Sequence, residues 1–326
     1  MYNVIFLDSI VYACMLSVLC VGLTLTYKIT NIPNFAHTSF AVLGMYVALV
    51  ITRVYDANPY ISLPLAFVAS GATSFLLYYG IIRILQKKKS SYLTLIIATL
   101  SFDFVMIGVL NIIADIIHGY RVTSRDFTLR SFDEVILGIP MVLIASIILL
   151  AGLLFGLYYL LYKTKFGISM RASIENVGLA ETMGIDTNRI FGVSWFLSGG
   201  LGGIAGVLLA LWFQGDPSLA ALLLPSVFAG SIVGGFSSIY GAVIGGMMVG
   251  VTEIIGTGIL ASNIGVWIVA YKPVIAFLFI IVTLLVFPKG LASLKHNFRK
   301  KKNIHDNDTY RQKDAKKDNK EELSSS

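Results

Sequence analysis

Charge is what this sequence most lacks. Charged residues make up 13% of it, half the ~25% of an average soluble domain, so most of its surface is not built to face water. Cysteine is scarce too. Cys14 and Cys20 are the only two; they lie in one apolar run and read as buried small hydrophobes, not as a disulfide or metal pair. Catalytic signatures are missing: there is no G-x-x-x-x-G-K-[ST] to cradle phosphate, no H-E-x-x-H, no G-x-S-x-G and no Cys/His cluster at metal spacing. A membrane enzyme has no nucleophile, base or metal set to work with here. Uphill work by such a chain must draw on an ion gradient or on another polypeptide. The alternating segments of about ten residues that build an outer-membrane barrel are also absent. The start, MYNVIFLDSIVYACML, has no basic region ahead of its apolar run and no small-x-small cleavage site, and reads as a retained span.

Apolar length is what the sequence has. Hydrophobic residues reach 56%, in runs over residues 4–27, 35–51, 61–84, 92–117, 135–161, 191–213, 219–233, 239–260 and 266–287. Runs of 18 or so apolar residues are the mark of membrane helices. The expected fold class is therefore an all-α polytopic membrane protein with eight or nine transmembrane helices over residues 1–288. The seventh run is short enough to re-enter rather than cross. Residues 289–326 form a separate polar tail, expected to be disordered.

The formal net charge of +7 is unevenly placed, since the tail holds 11 basic and 6 acidic residues. Lys/Arg excess marks the cytoplasmic side, and the basic sites are Lys87 to Lys89, the segment 163–190 and the tail. All three fall on one side if the seventh run crosses, which puts the C-terminus in the cytoplasm and the N-terminus outside. The loop 119–134 then lies outside, where Arg121, Arg125 and Arg130 are balanced by Asp126, Asp133 and Glu134. Arg299 to Lys302 suit lipid headgroups. Nucleic acid is not an expected partner, because only Phe298 and Tyr310 interleave with the basic residues of the tail.

Ionisable groups inside spans are costly and each needs an account. Asp103 and Glu253 sit well inside the fourth and eighth runs, where an interhelical bond and a water-filled route are both open readings. Lys28, Arg53, Arg83 and Lys272 lie near run ends, where long side chains snorkel to the interface. His37, at the start of the second run, reads as a helix-end hydrogen-bonding group before a proton relay. Glycines recur at four-residue spacing (Gly199/Gly203, Gly202/Gly206, Gly241/Gly245, Gly246/Gly250), which lets helix backbones approach closely in lipid; a mobile seam is the alternative. The turn from Gly234 and Gly235 to Gly241 reads as a tight hairpin or as part of a transport pathway.

The polar island 163–190 reads R-A-x-x-E-N-x-x-x-A-x-x-x-G-I-D-T-N-R-I from Arg171 to Ile190. It resembles the cytoplasmic loop of permease subunits of ABC transporters for branched-chain (hydrophobic) amino acids. Gly22 to Tyr27 followed by Ile32-Pro-Asn-Phe-Ala-His37 is similar to the family's first block. Ala229 to Glu253 is similar to its Gly-rich third block, with Glu253 on the closing acidic position. Thr38, Ser237, Tyr240 and Lys28 depart from the family pattern. The resemblance spans about residues 5–290. It implies a coupling loop that includes Arg171, Ala172, Glu175, Asn176, Ala180, Gly184 and Ile185, helical from Ala172 to Met183 with Gly184 at its C-terminus. Asn34, Phe35, His37, Asp103 and Glu253 become candidates for the translocation pathway. The implied partners are a second permease chain, two cytoplasmic ATPase subunits that bind the ATP and magnesium, and an extracytoplasmic solute-binding protein, in a prokaryotic inner membrane. The chain itself is expected to hold no cofactor and no metal. Two readings remain open beside amino-acid import: a permease for urea, short amides or a simple sugar, and a stand-alone gradient-driven carrier using Asp103, Glu253 or His37 as a relay.

Overall fold

The computed structural model describes residues 2–136, 138–236 and 238–286. The expected tail, Ser237 and Phe287 lie outside the described residues. The described residues are mostly helical. α1 (Tyr2–Thr30) is apolar on every side, as a helix surrounded by other helices must be. It ends at Asn31, in the left-handed region at φ 53°. An irregular stretch then leads to α2 (His37–Arg53). Asn58 caps a short 3-10 turn with a 3.0 Å bond from the Tyr60 amide, and α3 (Ser62–Leu77) follows. A π-turn at Tyr78–Ile82 joins it without a break to α4 (Arg83–Lys87).

Ser91 caps α5 (Tyr92–Gly119) through the Thr94 amide. A hairpin of β1 (Val135–Ile136) and β2 (Ile139–Pro140) precedes α6 (Met141–Lys163). The island holds α7 (Lys165–Glu175) and α8 (Val177–Thr182). Then come α9 (Thr187–Trp212), α10 (Leu219–Gly234) and α11 (Ile239–Asn263), and after a 3-10 segment at Val266–Tyr271, α12 (Lys272–Val286).

Six stretches among the described residues are long and apolar enough to cross a membrane: Ile5–Thr30, Pro59–Lys87, Tyr92–Gly119, Met141–Lys163, Thr187–Trp212 and Ile239–Asn263. His37–Arg53, Leu219–Gly234 and Lys272–Val282 are shorter apolar helices. Several expected boundaries move. The fifth run begins as a hairpin: Pro140, which disfavours a helix through it, stands at the N-cap position of α6 without a capping side-chain bond. The ninth run starts as a 3-10 segment. Phe35 lies before α2, not in it. The island is not one helix from Ala172 to Met183: it breaks at Asn176, whose side chain caps α8.

α1 and α9 form the centre, each with 72% of its span buried, against 28% for α5 and 22% for α6. Close glycine contacts explain how the centre packs. A Cβ on Gly203 would lie 2.4 Å from the Ala66 carbonyl oxygen, and one on Gly199 2.3 Å from Ser74 Cβ, both on α3. On the other side of α9, a Cβ on Gly206 would lie 1.8 Å from the Ala41 carbonyl oxygen of α2. α10 and α11 meet in the same way through Gly234 against Gly241 and Gly230 against Gly245, while Gly246 and Gly250 lie on Ser17 and Ala13 of α1.

The helices leave two polar ends. At one, Arg83 bonds Asn188 at the start of α9 and Tyr27 stacks on Phe236 beside the α10–α11 turn. At the other, Tyr46 bonds the Ser124 carbonyl, Arg53 lies over Phe132, and Phe127 pairs with Gly215.

Candidate functional site

Three groups of residues stand out from the packing. The first surrounds the break before α2. His37 opens that helix at the level of Leu19, eleven residues before the end of α1, or ~16 Å inside the helix end at 1.5 Å per residue. The ring is fully buried: Nε2 is 3.0 Å from the Leu19 carbonyl oxygen and Nδ1 3.4 Å from Ser198 Oγ. Gly22 makes room for it, since a Cβ there would meet the ring at 2.7 Å. Asn34 turns its Oδ1 to the Ala36 amide at 3.1 Å and leaves Nδ2 without a partner among the described residues. Phe35 stacks on Phe228 of α10 with centroids 4.9 Å apart.

Asp103 of α5 belongs to the same region. It accepts a 2.5 Å bond from Ser39 in the first turn of α2 and is 4% exposed. Its bond ties a peripheral helix to the helix that begins inside the protein. Asp103→Asn keeps an acceptor for Ser39 and is expected to melt close to wild type. Asp103→Ala strands the buried hydroxyl at a cost of about 1–3 kcal/mol, so its thermal midpoint should fall; equal midpoints for the two variants would refute this role.

The second group is built around Glu253. Ser226 of α10 donates to Oε1 at 3.0 Å, and the Tyr12 hydroxyl of α1 lies 3.4 Å from both carboxylate oxygens. Lys272 Nζ is 3.8 Å away and sits over the Tyr12 ring, 3.5 Å from its centroid. Lys272 therefore turns inward to a carboxylate instead of snorkelling, because α12 starts beside the middle of α11 and not at a span end. Four helices meet at this group. Asp103 and Glu253 thus sit in separate clusters.

The third group is the island. Thr164 caps α7 through the Gly167 amide at 3.2 Å, and Asn176 caps α8 through the Leu179 amide at 3.0 Å. Asp186 caps α9 through Arg189, whose amide it bonds at 3.1 Å. Gly184, at φ +83°, reverses the chain after α8, a conformation that costs glycine nothing. Arg171 is exposed but folds back onto the end of α6: its guanidinium donates to the Leu161 carbonyl and lies 5.2 Å from the Tyr162 ring centroid. Ala172 accepts the Asn176 amide and Ala180 is buried, with the Ile185 amide bonded to its carbonyl at 3.0 Å. Glu175 is exposed.

Sequence reading passed over the exposed apolar residues of α8 and its C-cap. Val177, Leu179 and Met183 are 42%, 60% and 74% exposed, outside every apolar span. Their signal was three large apolar residues straight after the Asn176 cap, in a segment otherwise polar.

The family described as "Branched-chain amino acid transport system / permease component" matches residues 5–284. The probable branched-chain amino acid transport permease protein LivH of Methanocaldococcus jannaschii is 42% identical over 287 residues, covering 88% of this chain and 91% of that protein. The high-affinity branched-chain amino acid transport system permease protein BraD of Pseudomonas aeruginosa is 25% identical, over 84% of this chain and 90% of that one. LivH of Escherichia coli K12 is 24% identical over the same shares. A match that runs through all three groups and nearly every helix carries one conclusion: the chain belongs to the family of branched-chain amino acid transport permease components.

Proposed function

We propose that this chain is the membrane-spanning permease subunit of an ABC importer that moves branched-chain or similar hydrophobic amino acids, driven by ATP hydrolysed on partner subunits. The observation that carries the reading is the family match over residues 5–284 together with an island that presents an apolar knob of Val177, Leu179 and Met183 on one polar end. A chain with no phosphate-cradling loop must receive its energy through contact, and an exposed apolar knob on a short capped helix is a rigid lever for that purpose. Two cytoplasmic ATPase subunits bind ATP and magnesium, one against this island. A second permease chain, homologous or identical, completes the pathway, and an extracytoplasmic binding protein delivers the solute.

The proposed topology has nine crossings. α10 is 16 residues long, ~24 Å at 1.5 Å per residue, against a hydrocarbon core of about 30 Å. It runs from the end that holds Gly215 to the turn beside Tyr27, which supports a crossing over a re-entrant segment. The island, Lys87 to Lys89 and the C-terminus then face the cytoplasm.

The test is uptake by the assembled transporter in cells deprived of their own hydrophobic-amino-acid importers, with labelled leucine, isoleucine and valine set against urea, acetamide and ribose. Uptake of the amino acids that requires both ATPase subunits is the expected result. Preferential uptake of another solute moves the chain to a neighbouring substrate class. Transport by this chain alone, without ATP, overturns the importer reading.

A further inference from the structure

α2 starts inside the protein, not at a polar end. Its first residue, His37, lies at the level of Leu19 of α1. Its 17 residues span ~25 Å at 1.5 Å per residue, short of a hydrocarbon core of about 30 Å. Arg53 reaches the polar end at Phe132, so the shortfall is at the start of the helix. The irregular stretch 31–36 that leads to it therefore runs at membrane depth. Non-helical backbone is tolerated there only where protein encloses it or where it lines a polar route.

A helix N-terminus leaves four amides without partners in the helix. At α2 two of them are answered: the Ala36 amide by Asn34 Oδ1 at 3.1 Å and the His37 amide by the Asn34 carbonyl at 3.3 Å. The Thr38 and Ser39 amides find no acceptor among the described residues, and Ala36 at the cap has no side-chain oxygen to offer. Two side chains add to this surplus. Asn34 Nδ2 and Thr38 Oγ1 are fully buried and have no partner among the described residues. Asn34 Oδ1 holds its planar amide against the helix end, which brings Nδ2 to the same end. The Ser39 hydroxyl is taken by Asp103 at 2.5 Å, and that carboxylate bonds neither free amide. Each unanswered group can donate a hydrogen bond, and buried donors left unmade are costly. Several of them together at one helix end await an acceptor.

We infer that the buried N-terminus of α2 is where the permease holds the carboxylate of its amino-acid substrate. Asn34 Nδ2, the Thr38 hydroxyl and the amides of Thr38 and Ser39 are its donors, and the positive end of the helix dipole adds to them. Half-helices that begin inside a bilayer suit the anionic group of a transported solute for this reason. The substrate's ammonium offsets the charge of Asp103 beside Ser39, which a bare anion cannot do. Phe35 and Phe228, stacked 4.9 Å apart, are half-buried where Asn34 and Thr38 are closed off. Parting of this pair admits the guest and gives its apolar side chain an aromatic wall. The inference rests on the reading of the chain as an amino-acid importer and assigns the atoms that take the carboxylate.

The deciding variant is Thr38→Val in the complete transporter, close to threonine in shape but without the hydroxyl. Losing an unpaired buried hydroxyl does not weaken the fold, so the thermal midpoint should stay or rise. Leucine uptake should nonetheless fall about tenfold or more at an unchanged amount of inserted, assembled chain. A hydroxyl that only packs, or only holds a water, would leave uptake intact or lower the midpoint with it. Either of those results, beside a wild type that imports leucine, overturns the site and leaves the importer reading standing. A wild type that imports no amino acid defeats the importer reading and this inference with it. The second measurement needs no variant. In the purified permease–ATPase complex in nanodiscs, without the binding protein, leucine at about 1–10 mM, the weak-binding range, should raise the thermal midpoint, as a ligand of the folded state does. Leucinol, with a hydroxymethyl group in place of the carboxylate, should not. No shift with leucine, or equal shifts with both compounds, overturns the site.

Discussion

Gly206→Val will leave almost no folded protein in the membrane. The Cβ it introduces would stand 1.8 Å from the Ala41 carbonyl oxygen, and across the same contact a Cβ on Gly44 would stand 2.1 Å from the Gly203 carbonyl oxygen. The obstructing atoms are backbone in both cases. A flexible side-chain tip yields for a few tenths of a kcal/mol; two helices pressed carbonyl to Cα yield only by moving apart. Overpacking in a core that adjusts costs about 1–3 kcal/mol, and separating α9 from α2 also disturbs the contact of α9 with α3, so the cost should sit at or above that range. Against a total stability of about 5–15 kcal/mol this is enough to send the chain to degradation. The readout is the yield of monodisperse protein in detergent and its thermal midpoint. Gly108→Ala and Gly152→Ala are the controls, since a Cβ at either meets nothing within 4 Å, and both should match wild type. A wild-type midpoint for Gly206→Val would refute the close approach.

Leu179→Asp, alone or with Met183→Asp, is expected to abolish uptake while leaving the amount of inserted chain unchanged. Interface residues that act as hot spots contribute about 2 kcal/mol or more, a factor of roughly 30 in affinity, and a buried charge in place of an apolar anchor costs at least as much. ATPase subunits should no longer co-purify with this variant. Arg171→Ala should behave differently, because the Arg171 guanidinium, though exposed, is bonded to the end of α6 and fixes α7 there; it should lower the thermal midpoint and the uptake together. Glu175→Ala, at an exposed position, should reduce uptake less than Leu179→Asp. Co-purification and normal uptake with Leu179→Asp would sink the assignment of α8 as the docking element.

The architecture was legible where it depends on apolar length and glycine spacing. Membrane helices announce themselves by composition, and the four-residue glycine repeats of the sixth and eighth runs mark surfaces where backbones touch. Spacing does not say which surface is touched. That Gly206 meets Ala41 while Gly203, three residues away, meets Ala66 follows from α9 lying between α2 and α3, a property of the assembled bundle. Pro140 was a readable stop that the hydropathy of the fifth run concealed. Lys272 looked like a snorkelling end residue because its run appeared to begin at Val266; only the 3-10 segment that replaces the first turns of that helix puts the lysine beside Glu253. Val177, Leu179 and Met183 were hidden by their neighbours, since a segment judged by its charges does not draw attention to its three apolar residues.

The central position of α1 has a consequence for how the protein is made. The helices it packs against most, α9 and α11, are the products of codons some 160 to 260 residues downstream, so the first span to enter the bilayer is among the last to find its place. Until then it must live in lipid. It is equipped for that wait: Ser17, Thr26 and Thr30 each bond a carbonyl of the preceding turn of α1 itself, so few of its hydroxyls need a neighbour that has not been synthesised. α1 must be a satisfactory lipid-exposed helix first and a core helix later, and its sequence serves both lives.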